Sequence, residues 1–267
     1  MRRSIGVDAG GSLVKIAFEE KGSIHYKTYP VEDIDTLVNW LKLSASDAIF
    51  KLTGGKANYL KERLGNESIM IDEFQTIVDG VRLLLMEQNE VINDFILVSI
   101  GTGTSIYHVQ KDHNERMFGT GIGGGTLIGL GAKLASTSDF HQIIKLAAKG
   151  DHKRSDLLVK DIYDRHSPPI LADLTAANFG KAHKQNALKE DLLASLVQLI
   201  GETIILLASS AAQMKNSKTI VFSGGTLAGN TVLKEVLLSF QEMLGYQMII
   251  LENGEFAGAR GALSTEV

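Results

Sequence analysis

The chain opens on short apolar runs broken by glycines. Residues 5–7 and 13–18, within I-G-V-D-A-G-G-S-L-V-K-I-A-F, read as a strand, a tight turn and a returning strand. Residues 22–29 give a third strand, closed by Pro30. Apolar positions 34, 37, 38 and 41 then take the helical spacing that buries one face. A short strand at 48–52 ends in Thr53, Gly54 and Gly55, a turn placed to line a cleft, and is followed by a helix at 58–64 and a strand at 68–71. Phe74, Ile77, Val78, Val81, Leu84 and Leu85 make one side of a helix over Glu73–Glu87. Asp72 and Glu73 stand at its start, where unpaired backbone N–H groups favour a carboxylate.

The same order of elements then repeats. A strand at 95–100 leads to a hairpin of 105–110 and 115–118, and a glycine-dense segment, 119–131, enters a helix over 126–136. Helices follow at 139–149, 156–164 and 188–214, with a rigid break at Ser167-Pro168-Pro169. A strand at 220–223, an amphipathic helix at 230–244, a strand at 247–251 and a helix at 256–264 complete the chain. This order predicts two α/β lobes, 1–93 and 94–267, the second carrying a helical insertion.

Composition narrows the classes. A chain of 267 residues, 44% hydrophobic and 22% charged, is an ordinary soluble globular sequence with room for a real core. A net charge of −4 argues against nucleic acid as a partner. The absence of cysteine removes disulfides, thiolate nucleophiles and cysteine-held zinc. Seven histidines without ligand spacing leave no metal site beyond Mg²⁺ brought by a nucleotide. Asp8 falls inside what would be the apolar stretch of a signal peptide, so a cytoplasmic enzyme is expected. The long apolar segment at 188–214 is interrupted by Lys189, Glu190, Asp191 and Glu202. Its charge-free remainder is shorter than the roughly 20 residues of a membrane span, which predicts a core or subunit-contact helix.

Candidate chemistry sits in the glycine turns. Gly10, Gly11 and Ser12 let backbone approach a bound group closely, Asp8 can hold a hydrated Mg²⁺, and Lys15 can lie beside phosphate oxygens. The plainer reading is a hairpin whose aspartate caps its own turn. The same turn type recurs in L-V-S-I-G-T-G-T-S-I-Y-H-V (97–109) and in I-V-F-S-G-G-T (220–226), however. Three such turns point to two related halves closing on a nucleotide. The glycine cluster at 119–131 entering a helix suits phosphates through free N–H donors and the helix dipole, or else serves close packing or a hinge.

These motifs resemble the actin, sugar-kinase and Hsp70 ATPase superfamily: a two-lobed actin-like (duplicated ribonuclease H-like) α/β fold with nucleotide in the interlobe cleft. D-A-G-G-S-L-V-K, D-E-F, G-T-G-T-S, G-I-G-G-G-T-L-I-G-L-G, D-L-T-A-A-N-F-G and E-N-G-E-F-A-G-A-R-G-A-L resemble, in this order, the type II pantothenate kinases. The resemblance implies phosphorylation of pantothenate by ATP and Mg²⁺, the first step towards coenzyme A, in a homodimer. It implies Glu73 as catalytic base; without it, Glu73 is as readily a carboxylate stabilising its own helix. Thr102, Ser105 and Arg116 match substrate contacts, Arg116 at the acid end; a lone arginine there is otherwise a solvated hairpin charge. Asp8, Ala9, Gly10, Gly11, Ser12, Leu13, Val14 and Lys15 match a first phosphate loop, with Asp8 near the metal and Thr102 also on the nucleotide side. Gly124, Gly125, Thr126, Leu127 and Ile128 match a second. Phe140 stands where relatives can have tyrosine and Gly225 where they can have serine, so neither offers that hydroxyl. Asp173 and Asn178 take a structural or substrate-pocket role. Two rival readings are a kinase for another hydroxyl substrate, such as an N-acetylhexosamine, and a nucleotide-driven binding protein of the Hsp70 or actin type.

Overall fold

A computed structural model describes residues 3–163, 171–183 and 187–266. The first sheet has the order β3-β2-β1-β4-β5, from β1 (Ser4–Ala9), β2 (Leu13–Glu20), β3 (Ser23–Pro30), β4 (Ile49–Thr53) and β5 (Ser68–Met70). β1, β2 and β3 are antiparallel, while β4 and β5 add in parallel on the other side of β1. Helices α1 (Ile34–Ser44) and α2 (Ala57–Leu64) supply the parallel crossovers, and their apolar faces close a core with Ile5, Val7, Ile16 and Leu52.

The second sheet repeats this plan. β6 (Asp94–Ile100), β7 (Thr104–Gln110) and β8 (Asn114–Thr120) are antiparallel, and β11 (Thr219–Ser223) and β12 (Gln247–Ile250) add in parallel beside β6. Its central strand is apolar at successive positions because both faces are covered. Ile96, Val98 and Ile100 face one core with α4 (Gly124–Ala135), α5 (Phe140–Ala147), α7 (Lys189–Lys215) and α8 (Thr231–Ser239). Phe95 and Leu97 face another, with Val78, Val81, Leu84 and Leu85 of α3 (Glu73–Glu87). α7 is long and apolar enough to cross a membrane by length and composition, and its buried apolar residues pack in the core with Ile96, Val98, Ile100 and the helices α4, α5 and α8.

Two elements depart from the sequence reading. The helix expected over 156–164 is replaced, in its described part, by a strand pair and one turn of helix: β9 (Leu157–Leu158) with β10 (Thr175–Ala177), then α6 (Val159–Ile162). Asp156 is fully buried and accepts hydrogen bonds from the Phe179 N–H at 2.7 Å and the His152 ring at 2.9 Å, which ties this stretch to the D-L-T-A-A-N-F-G block instead of a helix. The helix expected over 230–244 divides at Phe240 into α8 and α9 (Gln241–Leu244). Ser167, Pro168 and Pro169 lie outside the described residues.

The last helix, α10 (Ala257–Ser264), returns to the first sheet, lying against β1, β2 and β4 and along α3. The approach is too close for side chains. A Cβ on Gly6 would fall on the Ala259 carbonyl, one on Gly80 on that of Ala257, and one on Gly261 on that of Thr76. At its far end the buried Lys51 ammonium donates to the Leu263 and Thr265 carbonyls, at 3.0 and 2.5 Å, satisfying acceptors that a helix end leaves free.

Candidate active site

Between the two sheets lies a cavity of about 840 Å³. Asp8 is the penultimate residue of β1 and stands opposite Lys15 of β2 in the antiparallel register, Oδ2 to Nζ 3.9 Å. In the second sheet the matching positions are Ser99 and Ser105, which also face each other, so the charged pair belongs to the first hairpin alone. Both hairpin tips meet: the Ser12 and Thr102 hydroxyls are 3.3 Å apart.

Burial pushes the Asp8 carboxyl above the usual carboxylate range, and Lys15 pulls it partly back. Backbone hems it in, since a Cβ on Gly54 would sit 2.6 Å from Oδ1 and one on Gly258 2.7 Å from Oδ2. An oxygen donor of this kind suits a hard cation held mainly by substrate phosphates. No group of three or more acidic or imidazole side chains among the described residues offers a fuller cage. The folded chain holds this proton more tightly than the unfolded one. The resulting cost is absent below the ordinary carboxylate range and full above the raised value. Asp8→Asn is therefore expected to raise the melting temperature by a few degrees at about pH 7.5, with the gain fading in acid. Calorimetry at two pH values checks this, and a lower melting temperature at neutral pH would mean that the Lys15 pairing outweighs burial.

The neighbouring side of the cavity is built on the start of α3. Asp72 caps the helix by accepting from the Gln75 N–H at 2.9 Å, and Glu73 follows as its first residue. Partial burial, then the negative charges of Asp8 and Asp72, hold the Glu73 carboxyl above its ordinary value. Beside it the Phe74 ring lies 6.0 Å from Tyr107 and carries the Arg116 guanidinium at 5.5 Å. Arg116 owes its direction to a bulge. Ile106 pairs with Phe118, yet Tyr107 pairs with Arg116, so Met117 is the extra residue. Side chains alternate along a strand, so this insertion turns Arg116 onto the face of Tyr107 and Ser105. Gly119 leaves the guanidinium its space, a Cβ there falling 2.7 Å from Nη2.

Of the expected site residues, Asp8, Gly10, Gly11, Ser12, Leu13, Lys15, Glu73 and Thr102 line this cavity. So do Ser105, Arg116, Gly124, Gly125, Ile128, Phe140 and Gly225. Ala9, Val14 and Leu127 are buried in the cores, and Thr126 turns its hydroxyl to the Gly121 carbonyl at 3.0 Å. The glycines at the start of α4 pack first against the neighbouring turn. The Gly124 and Gly125 N–H groups donate to the Gly101 and Thr102 carbonyls, each at 2.9 Å, which leaves a phosphate the dipole and the other loop edges. Asp173 pairs with Lys153 and Lys160, and Asn178 donates to Glu202 of α7 at 3.0 Å, so both pin their block outside this cavity. Sequence reasoning passed over Tyr107, Ser99, Glu255 and Gly258, which also line it. The three-residue spacing of Gly258 and Gly261 on one helix was the available sign of close approach.

The family model described as Fumble matches residues 4–265. A type II pantothenate kinase of Oceanobacillus iheyensis is 46% identical over 264 residues, covering 98% of both chains. The chain belongs to the type II pantothenate kinase family. Its fold is that of actin-like ATPases. Component A of the Acidaminococcus fermentans (R)-2-hydroxyglutaryl-CoA dehydratase superposes with a TM-score of 0.66 at 16% identity, covering 98% of this chain and 96% of that one. A ROK family glucokinase from Streptomyces griseus, solved with glucose and AMPPNP, gives 0.58 at 14% identity and 98% of both chains. The actin-like α/β fold expected from the glycine turns is thus borne out, and so is the family.

Proposed function

We propose that this family member transfers the γ-phosphoryl group of ATP to the primary hydroxyl of pantothenate, giving 4′-phosphopantothenate on the way to coenzyme A. The observation that carries this reading is the common cavity. Glu73 stands in it with the Asp8–Lys15 pair and with Arg116. The triphosphate lies along Gly10, Gly11 and Gly225, where Lys15 reaches its oxygens. Pantothenate places its carboxylate on the Arg116 guanidinium, whose planar fork matches it. Ser105 and Thr102 border the acyl chain. The hydroxyl then faces Glu73, which takes the proton as the oxygen attacks the γ-phosphorus and ADP departs. A raised carboxyl is a better proton acceptor than an ordinary one. Mg²⁺, when bound with ATP, neutralises charge on the transferring phosphoryl group, and Asp8 is the side chain that would hold it. Closure of the first sheet, together with the α10 that lies on it, over the second keeps out water as a competing acceptor. We assign the enzyme to the cytoplasm. We also place a homodimer contact on the outer face of α7, where Leu206 and Met214 are exposed.

ADP release in the presence of pantothenate, of glucosamine derivatives and of no acceptor tests the reading. Release that depends on pantothenate is expected. Release with a sugar alone would move the substrate class, and acceptor-independent hydrolysis would remove the kinase assignment.

A further inference from the structure

Two threonines, one on a strand and one on a helix, form a buried contact that nothing in the reaction above explains. Thr53 closes β4 and Thr76 lies in the first turns of α3; both are fully buried, and their hydroxyl oxygens are 3.0 Å apart. The proton directions follow from the neighbours. Thr76 Oγ1 donates to the Glu73 carbonyl at 2.9 Å, which uses its single proton. Thr53 must therefore be the donor in the pair. The result is a directed chain, from Thr53 to Thr76 to the backbone of Glu73.

Both ends of this chain are anchored at the site. Thr53 is the parallel-register partner of Asp8, so the chain begins one strand away from the carboxylate beside Lys15. It ends on the residue whose side chain enters the cavity. α10 closes the third side, with Gly261 against the Thr76 carbonyl and Gly258 against the Asp8 carboxylate. A buried hydroxyl pair costs desolvation, and two apolar side chains of the same shape would avoid that cost. What the hydroxyls add is direction, since a hydrogen bond fixes distance and angle where apolar contact does not.

We propose that Thr53 and Thr76 are positioning residues that hold Glu73 in register with Asp8, so that proton acceptor and phosphoryl-binding side move as one unit. This rests on Glu73 acting as the base. Displacing a catalytic group by about 1 Å costs up to about 10²-fold in rate. Thr76→Val, which keeps the shape and removes the hydroxyl, is thus expected to lower kcat by about 10- to 100-fold, with the KM for ATP within about twofold of the parent. Thr76→Ser restores the bond and should return kcat to within a few-fold. Thr53→Val should reproduce the loss, and the double variant should add nothing further, because both changes break one chain.

Steady-state kinetics on folded variants, with melting curves alongside, decide the matter. A kcat within twofold of the parent for Thr76→Val overturns the inference. So does a loss that Thr76→Ser fails to rescue, or losses that multiply in the double variant. Where Thr76→Val does not fold, Thr53→Val and Thr53→Ser are read in the same way. Glu73→Gln separates the two levels. A fast Glu73→Gln removes the base reading and leaves the pair nothing to position. A slow Glu73→Gln with a fast Thr76→Val overturns the positioning alone.

Discussion

Glu73→Gln should cut the turnover of pantothenate by about 10² to 10⁴, the share a general base ordinarily supplies, while the KM values for ATP and pantothenate stay close to the parent's. The glutamine keeps the length of the side chain and its place at the start of α3, where the Asp72 cap is untouched. It loses the negative charge and with it the ability to accept a proton. The pH profile adds a second readout. Burial and the charges of Asp8 and Asp72 raise the Glu73 carboxyl, so in the parent kcat/KM should fall as pH drops through a value above the ordinary carboxylate range. The part of that limb owed to Glu73 should be missing from the residual activity of Glu73→Gln, while the raised Asp8 carboxyl keeps its own. A variant with near-normal turnover would take Glu73 out of the chemistry.

Gly261→Ala is expected to have the largest effect on stability. Its new methyl would fall on the Thr76 carbonyl, which is helix backbone and cannot rotate away. The helices must separate, and their contacts with β1 and with the Asp8 side of the cavity loosen together. Overpacking of this kind costs about 1–3 kcal/mol, occasionally more. At about 2–4 °C per kcal/mol for a chain near this size, a loss of about 2–12 °C in melting temperature follows. Gly129→Ala is the control. It lies in α4 with nothing within 4 Å of its would-be Cβ, and alanine favours a helix, so no loss is expected. Equal melting temperatures for Gly261→Ala and the parent would contradict the close seam between α3 and α10.

The elements were legible where periodicity or a cap decides them. α3 runs over Glu73–Glu87 as its apolar spacing predicts, and the 27 residues of α7 follow closely the apolar stretch at 188–214. The glycine turns were also readable as turns, and their recurrence exposed the doubled sheet plan. What stayed hidden depends on partners distant in sequence. The bulge at Met117 is set by how β8 meets β7, and no local signal in N-E-R-M-F-G-T announces it. The glycines at 123–125 advertise the lack of a Cβ, but not whether a phosphate or the 101–103 turn fills the space. Asp156 looks like an ordinary helix residue until the Phe179 N–H arrives from elsewhere to claim one of its oxygens, the other being held by His152 four residues back. The match of Arg116 to a substrate contact came from family likeness. The physical means of aiming it came only from the fold.

The return of α10 to the first sheet also sets how the cavity can come apart. The wall against the Asp8 carboxylate is Gly258, brought back from a remote part of the chain, and the seam that holds it there is backbone against backbone at Gly6, Gly80 and Gly261. Such a seam has no side chains to repack, so loosening it would expose the Asp8–Lys15 pair while both sheets keep their ladders. The enclosure of the acidic group is therefore a weaker property of the molecule than its fold, and local opening at α10 would remove the first without the second.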